Sequence, residues 1–435
     1  TQLIAVLIAR GADPAYRDKR DLADLLAYES EQRWRATARP TTRTATTSTA
    51  SSEVAIDLRI PEPPRVVIRV TPEPPPAPLP SSAMPVRPTE HIPAPPSHGA
   101  VWIQGQFAWN GAAWVWIAGR WAPASPPAAR PRVEAAAKQF GNPETSLDAV
   151  PLVKKLQPEV LCFCTLPNLR LPMIRLGVEN GAKLIAYEKP IATSTNEALE
   201  IMKLLRDAGV KAVVSHQHRY GDHYKKVKEI ISSGAIGRVH TVYGTATGWM
   251  LHMITHLIEY ARWFNDYAEA EWVMGQASGK GKFSDNHPSP DYIAGVIQFA
   301  NGVRGIVESG DGAPDIPEVE AWWRKCRIGA QGTEGFAEVL TGGGWRAVTR
   351  DSGGMISGTG NMDYAHDMPP YVQEIAVWLD DPAKVHPCNG EQSYKGFEIM
   401  MALCRSAVQR GRIKLPLGPG EPELEALQKA LPDQV

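Results

Sequence analysis

The sequence predicts an α/β protein: an incomplete doubly wound parallel sheet, then an α+β domain with a large, mainly antiparallel open sheet, behind an N-terminal third that is largely disordered. Three observations predict it. Short continuously apolar runs alternate with amphipathic stretches of helical period between residues 132 and 218, the signature of strands covered on both faces. Beyond Gly221 the strand-like runs lengthen and alternate, as half-buried antiparallel strands do. Upstream, residues 36–100 are dominated by Thr, Ser, Ala and Pro, which cannot form a packed core.

Taken in order, residues 1–35 read as helical. Leu3, Ile4, Leu7 and Ile8 recur at helical spacing, and Gly11 with Asp13-Pro14 supplies a stop. The run from Leu7 to Pro14 resembles the end of an ankyrin repeat, a unit that gains stability only by stacking. Residues 36–100 follow as a linker with polyproline character. Residues 101–122 read as a Trp-rich β-hairpin. Trp102-Ile-Gln-Gly105-Gln-Phe107 recurs as Trp116-Ile-Ala-Gly119-Arg-Trp121, with Asn110-Gly111, a strong two-residue turn signal, between the copies. It resembles the YXWGXW-type repeat of envelope proteins, and reads either as a binding surface or as a hairpin marginal by itself.

In the segment 132–218 helices are expected over Ser146 to Leu156, Pro172 to Asn180 and Asn196 to Ala208. The last two should stop at Gly181 and Gly209. Strands are expected over Glu159 to Thr165, Lys183 to Glu188 and Lys211 to His216. In the segment 219–420 the expected strands include His240 to Gly248, Tyr292 to Phe299 and Val303 to Ser309.

Composition narrows the function. A net charge of −1 gives no bulk attraction for nucleic acid or an anionic membrane face. No apolar run is long enough to span a bilayer. Five cysteines without CxxC spacing argue against a disulfide framework or structural zinc, and with no signal peptide they fit a reducing, cytoplasmic setting. Cys162 and Cys164 read as small buried hydrophobes. Small-molecule chemistry is the expectation that remains.

The chemistry-bearing motifs sit at expected strand ends. Thr165-Leu-Pro167-Asn168 ends one strand, Glu188-Lys189-Pro190 the next, and Arg219-Tyr220 the third. Ile230 to Val239 and then His252-Met-Ile-Thr-His256-Leu-Ile-Glu259 follow, with Pro370-Tyr371 and Gly411 to Pro416 near the end. In order and spacing these resemble the glucose–fructose oxidoreductase / inositol dehydrogenase family (Gfo/Idh/MocA), over roughly residues 132–420.

That resemblance implies a Rossmann-like domain, NAD or NADP as cofactor, and hydride transfer to or from a sugar or polyol hydroxyl. It implies a homo-oligomer by analogy. It implies catalytic roles for Lys189 and His256, with His252 beside them. Thr165, Pro167, Asn168, Glu188, Lys189 and Pro190 would line the cofactor, and Arg219, Tyr220 and Glu259 would contact substrate. The chemistry is coherent, because oxidising an alcohol needs a base for the hydroxyl proton and a cation for the developing alkoxide. Alternatives are an inactive member or binding module, and a glycosidase of the same family that holds NAD.

Taken singly, a lysine at a strand end is usually a solvated charge. His252 and His256, at i and i+4, could form a metal pair, but no Glu stands between them as in HExxH, so a metal-dependent hydrolase ranks last. His216 and His218 share a strand face and could also ligate a metal, but ordinary hydrogen-bonded histidines are the expectation.

Three departures stand out. His252 occupies the place where the family usually has Asp, and Arg170 that of a common histidine. Upstream of Arg132 no GxGxxG follows a strand, so the turn and helix N-terminus that hold a dinucleotide pyrophosphate, with the central strand before them, are missing. The N-terminal third reads as a fused or rearranged segment.

Overall fold

The computed structural model describes residues 142–432 and, before them, 5–8, 101–103, 106–109, 114–117, 120–122, 133–134 and 137–138. The linker expectation for 36–100 and most of the helical expectation for 1–35 lie outside the described residues.

Four of those early residues overturn an expectation. Ala5–Ile8, read as helical, forms strand β1 and pairs antiparallel with Val160–Phe163, strand β6. A short apolar run carries no periodicity that separates helix from strand, and the open edge of β6 offers hydrogen bonds that a lone helical turn cannot match.

Within 101–122, β2 (Val101–Ile103) pairs with β5 (Arg120–Ala122), and β3 (Gln106–Trp109) with β4 (Trp114–Ile117), both antiparallel. The register sets Trp102 opposite Trp121 and Trp109 opposite Trp114. The connection from Trp109 to Trp114 is thus longer than the two-residue turn expected at Asn110-Gly111.

The first sheet has the order β1-β6-β7-β8, with β7 (Leu184–Tyr187) and β8 (Lys211–Val214) parallel to β6. Helix α1 (Ala149–Leu156) precedes β6, and α2 (Arg170–Glu179) and α3 (Thr195–Asp207) connect β6 to β7 and β7 to β8. Local chemistry sets the ends. Asp148 caps α1, and the Ser194 side chain accepts from the Glu197 N–H at the start of α3. Gly181 and Gly209, at φ 82° and 64°, take the left-handed positions that the expected helix stops require.

Alternation along the strands splits the core in two. Leu161, Phe163, Ile185, Tyr187 and Val214 pack with Ile174, Ile201 and Leu205 of α2 and α3. Val160, Cys162, Leu184, Ala186 and Val213 face Met368, Tyr371 and Ile375.

Helix α4 (Asp222–Ser232) leads into a nine-stranded sheet. Its strands are β9 (Val239–Ala246), β10 (Ala270–Ser278), β11 (Tyr292–Phe299), β12 (Arg304–Gly310), β13 (Cys326–Gly332), β14 (Gly335–Leu340), β15 (Gly344–Val348), β16 (Met355–Gly358) and β17 (Ile413–Lys414). The order is β16-β15-β14-β13-β9-β12-β11-β10-β17, antiparallel throughout except between β9 and β12. This is the open second sheet that the sequence predicts.

Helix α5 (Met250–Phe264) packs its buried Leu257 against Gly244 of β9, and α7 (Gly390–Gln409) lies beside β10. The opposite face leaves Met274, Val296, Ile306 and Ile356 exposed. Helix α6 (Tyr364–Asp380) carries Met368, Tyr371 and Ile375 back to the first sheet, and α8 (Glu423–Ala430) closes against α7. Among the described residues no helix is long and apolar enough to cross a membrane.

Candidate active site

The carboxyl ends of β6, β7 and β8 are where open parallel sheets bind their ligands, and there the recognised motifs meet. Thr165 follows β6; Pro167 is buried and starts a short 3-10 turn, Pro167–Leu169, with Asn168 exposed on it. Glu188, Lys189 and Pro190 follow β7 directly, the first two half-buried and the proline buried.

Arg170 binds the two loops together. It is fully buried, and its guanidinium donates to the Thr165 carbonyl and hydroxyl (both 2.7 Å), the Lys189 carbonyl (3.1 Å) and the Pro190 carbonyl (3.2 Å). Burial lowers its pKa, while nearby Glu188 pulls it back up. Arg170, which stands where the family commonly has a histidine, thus takes up these backbone and side-chain acceptors, a role that its place in the sequence does not reveal.

The Lys189 ammonium reaches across to the second domain and donates to the His252 carbonyl at 2.8 Å. That carbonyl lies on α5 one turn before His256. Burial first, and then the Lys189 charge, hold the His256 imidazole well below the usual histidine pKa. The His256 Nδ1 is buried with no hydrogen-bond partner in the protein.

Two more imidazoles complete the wall. The His216 ring centroid is 5.3 Å and that of His218 5.6 Å from His256. Burial pushes His216 down to about 3, and neither of its ring nitrogens has a partner in the protein. His218 Nδ1 sits 3.2 Å from Asp367 Oδ2. The expectation of ordinary hydrogen-bonded histidines therefore fits His218 and fails for His216.

Arg219, Tyr220 and Glu259 are placed differently from the substrate contacts expected of them. Arg219 donates to the Tyr267 hydroxyl at 2.6 Å and lies 4.6 Å over the Trp263 ring. Tyr267 in turn donates to Glu259, whose other carboxylate oxygen meets buried Arg262 at 3.3 Å. Tyr220 donates to Glu374 at 2.6 Å. A charged group as buried as Glu259 needs internal partners, and in this structure each of the three side chains is bonded to a neighbour within the protein.

A small cavity of about 60 Å³ opens at this end of the sheet, between Cys164, Glu188, Ser215 and Gln217 and the α6 residues Tyr364 and Met368. A larger groove, about 430 Å³, lies at the amino ends of the same strands beside Glu159, Lys183 and Lys211, away from every motif above. The position of the side chains, not the volume, identifies the site.

His252 was expected as a catalytic neighbour of His256. Its side chain instead turns toward the loop after β10, where His252, Asp285 and His287 bring one ligand atom each within 4.8 Å of one another. Among the described residues this is the group of histidine and carboxylate side chains that could hold a metal ion. Sequence spacing did not reveal it, since Asp285 and His287 come from a loop more than one element away.

Dinucleotide binding needs a second set of contacts. The residues present suit the nicotinamide end, where buried ring nitrogens lie unpartnered beside a lysine. They do not suit the phosphate end. β1 runs antiparallel, with Ile8 opposite Val160, so it ends at the amino side of the parallel strands, and a single glycine, Gly11, follows it in sequence.

Comparison with known proteins agrees with this geometry. The model of the Gfo/Idh/MocA family, described as an oxidoreductase family with an NAD-binding Rossmann fold, matches residues 127–216. The uncharacterized oxidoreductase YrbE of Bacillus subtilis is 24% identical over 166 residues, which is 35% of this chain and 48% of that protein. The D-glucoside 3-dehydrogenase of Escherichia coli is 19% identical over 201 residues, 39% of this chain and 57% of that protein. The chain thus spans about half the length of these curated relatives. Among solved structures, levoglucosan dehydrogenase in complex with NADH and levoglucosan is similar in fold, with a TM-score of 0.55 at 17% identity over 66% of this chain and 88% of that one. The match to the family model is thus confined to residues 127–216, and what the solved structure shares with this chain beyond them is the fold.

Proposed function

We propose that the site at the ends of β6, β7 and β8 handles a hydroxyl group of a sugar or polyol, with Lys189 and His256 as the acting residues in a nicotinamide-dependent oxidation or reduction. The observation that carries this reading is the reach of the Lys189 ammonium to α5, beside a His256 that burial first, and then the Lys189 charge, keeps neutral. A neutral imidazole beside a cation is what alcohol oxidation needs. His256 can take the hydroxyl proton, and Lys189 favours the alkoxide as its charge develops. Bound nicotinamide would supply the hydride acceptor. Arg170 fixes the carbonyls on either side of the Lys189–Pro190 bond, so the ammonium is presented from a rigid loop. The sugar class is supported by relatives whose names give a D-glucoside and levoglucosan as what they act on or bind.

A second reading, an inactive member that keeps substrate binding, is favoured by one specific observation. The strand beside β6 runs the wrong way to deliver a phosphate-binding turn to the site. Calorimetry of the full chain with NAD and with NADP separates the two. Heat of binding with either supports the enzyme, and no heat with both supports the binding module. The glycosidase alternative predicts release of sugar with no net cofactor reduction.

A further inference from the structure

Where α5 begins, three side chains that the hydroxyl chemistry does not use face one another. His252 Nε2 lies 3.8 Å and His287 Nδ1 3.9 Å from the same oxygen, Asp285 Oδ1, and the two imidazole centroids are 3.9 Å apart. Those nitrogen–oxygen separations exceed a hydrogen bond. Ligands held about 2.0–2.1 Å from zinc in a tetrahedron stand roughly 3.4 Å from one another, and here one ligand atom from each of the three side chains lies within 4.8 Å of the other two.

The surroundings hold this group in place. The His287 N–H donates to Asp285 Oδ1 at 2.8 Å, which fixes the carboxylate against its own loop. Ser289 donates to the His287 carbonyl at 2.9 Å and accepts from the Leu251 N–H at 3.0 Å, so the loop is pinned to the first turn of α5. His287 Nδ1 stands 2.8 Å from Asn286 Oδ1, an acceptor that places the ring proton on Nδ1 and the lone pair on Nε2. Trp249 covers His252 edge-on at 4.7 Å and stacks on Trp322 at 5.1 Å, forming an aromatic wall on one side. The side chains of His252 and Asp285 remain 26% and 33% exposed, so an ion can enter.

We propose that His252, Asp285 and His287 form a site for one divalent transition-metal ion of the zinc class. Two imidazoles and a carboxylate are the donor set such ions prefer, and three protein ligands leave a coordination position open. One carboxylate against a dication leaves a net positive centre, so the open position takes water or an anionic or hydroxyl oxygen of a small molecule. The Lys189 ammonium, on the His252 carbonyl, lies at the same turn of α5. The inference does not depend on hydride transfer.

The test uses the full chain with no polyhistidine tag, stripped by a chelator and dialysed. Titration with Zn2+ by calorimetry, with metal analysis after desalting, is expected to give one ion per chain. Asp285→Asn and His287→Ala, each confirmed as folded by circular dichroism, are expected to weaken Zn2+ binding by more than about 100-fold, beyond what loss of an outer partner causes. Co2+ in place of zinc should give visible absorption that both variants lose. Absence of stoichiometric Zn2+ in the wild-type chain, or undiminished binding in both folded variants, overturns the proposal.

Discussion

The Arg170 guanidinium donates to the backbone carbonyl of Lys189 at 3.1 Å, so a residue fixed in the first helix turn after one strand sets the loop that follows the next strand. Thr165, Lys189 and Pro190 all converge on that one buried cation.

Removing the guanidinium leaves several buried carbonyls without donors. Arg170→Ala is expected to cost about 3 kcal/mol or more of stability, and Arg170→Lys less, since an ammonium keeps some of the donors, although it cannot serve both loops. Urea unfolding followed by circular dichroism measures both. A loss below about 1 kcal/mol in Arg170→Ala would mean that the loops hold each other without it.

Acid should destabilise the protein through its buried histidines. Burial holds His216 at about 3 and His386 at about 4, both depressed from the ordinary histidine value, so the unfolded chain binds protons that the folded chain refuses. The resulting stability is fully present above about pH 6.5 and fades as pH falls toward 3–4, at up to about 1.4 kcal/mol per pH unit for each group. The midpoint of urea unfolding should drop across that window, and His216→Phe should flatten the drop. An unchanged slope in that variant would remove His216 from the effect.

The cysteines give a chemical check on the core. Cys162, Cys326 and Cys388 are buried and their thiols pushed up to about 12, with Cys404 also raised by burial, while Cys164 is half-buried beyond the end of β6. A thiol reagent should modify Cys164 alone at neutral pH in the native protein, and all five cysteines once it is unfolded. Rapid native reaction of Cys388 would contradict the packing of α6 and β8.

The parallel sheet was legible because its signals are local. Helix stops at Gly181 and Gly209 and the apolar runs at Val160–Phe163 and Leu184–Tyr187 need no partner to be read. The expectation for Lys189 and His256 came only from motif order, because no periodicity brings a strand end to a helix in another domain. What sequence could not give was orientation. Glu259 stands on the same helix as His256 yet turns to Arg262 and Tyr267, and His252 turns to a loop at 285–287. The strand at Ala5–Ile8 was missed because four apolar residues carry no period.

The central claim is that Lys189 and His256 together act on a hydroxyl group with nicotinamide as partner, and initial rates of cofactor reduction test it most directly. The full chain is incubated with NAD or NADP and a panel of sugars and polyols, and absorbance of the reduced cofactor is followed. The account predicts turnover with at least one polyol or sugar, lowered by about 100-fold or more in both Lys189→Ala and His256→Ala. Wild-type turnover in Lys189→Ala, or no reduction of either cofactor across the panel by a folded wild-type chain, would contradict it.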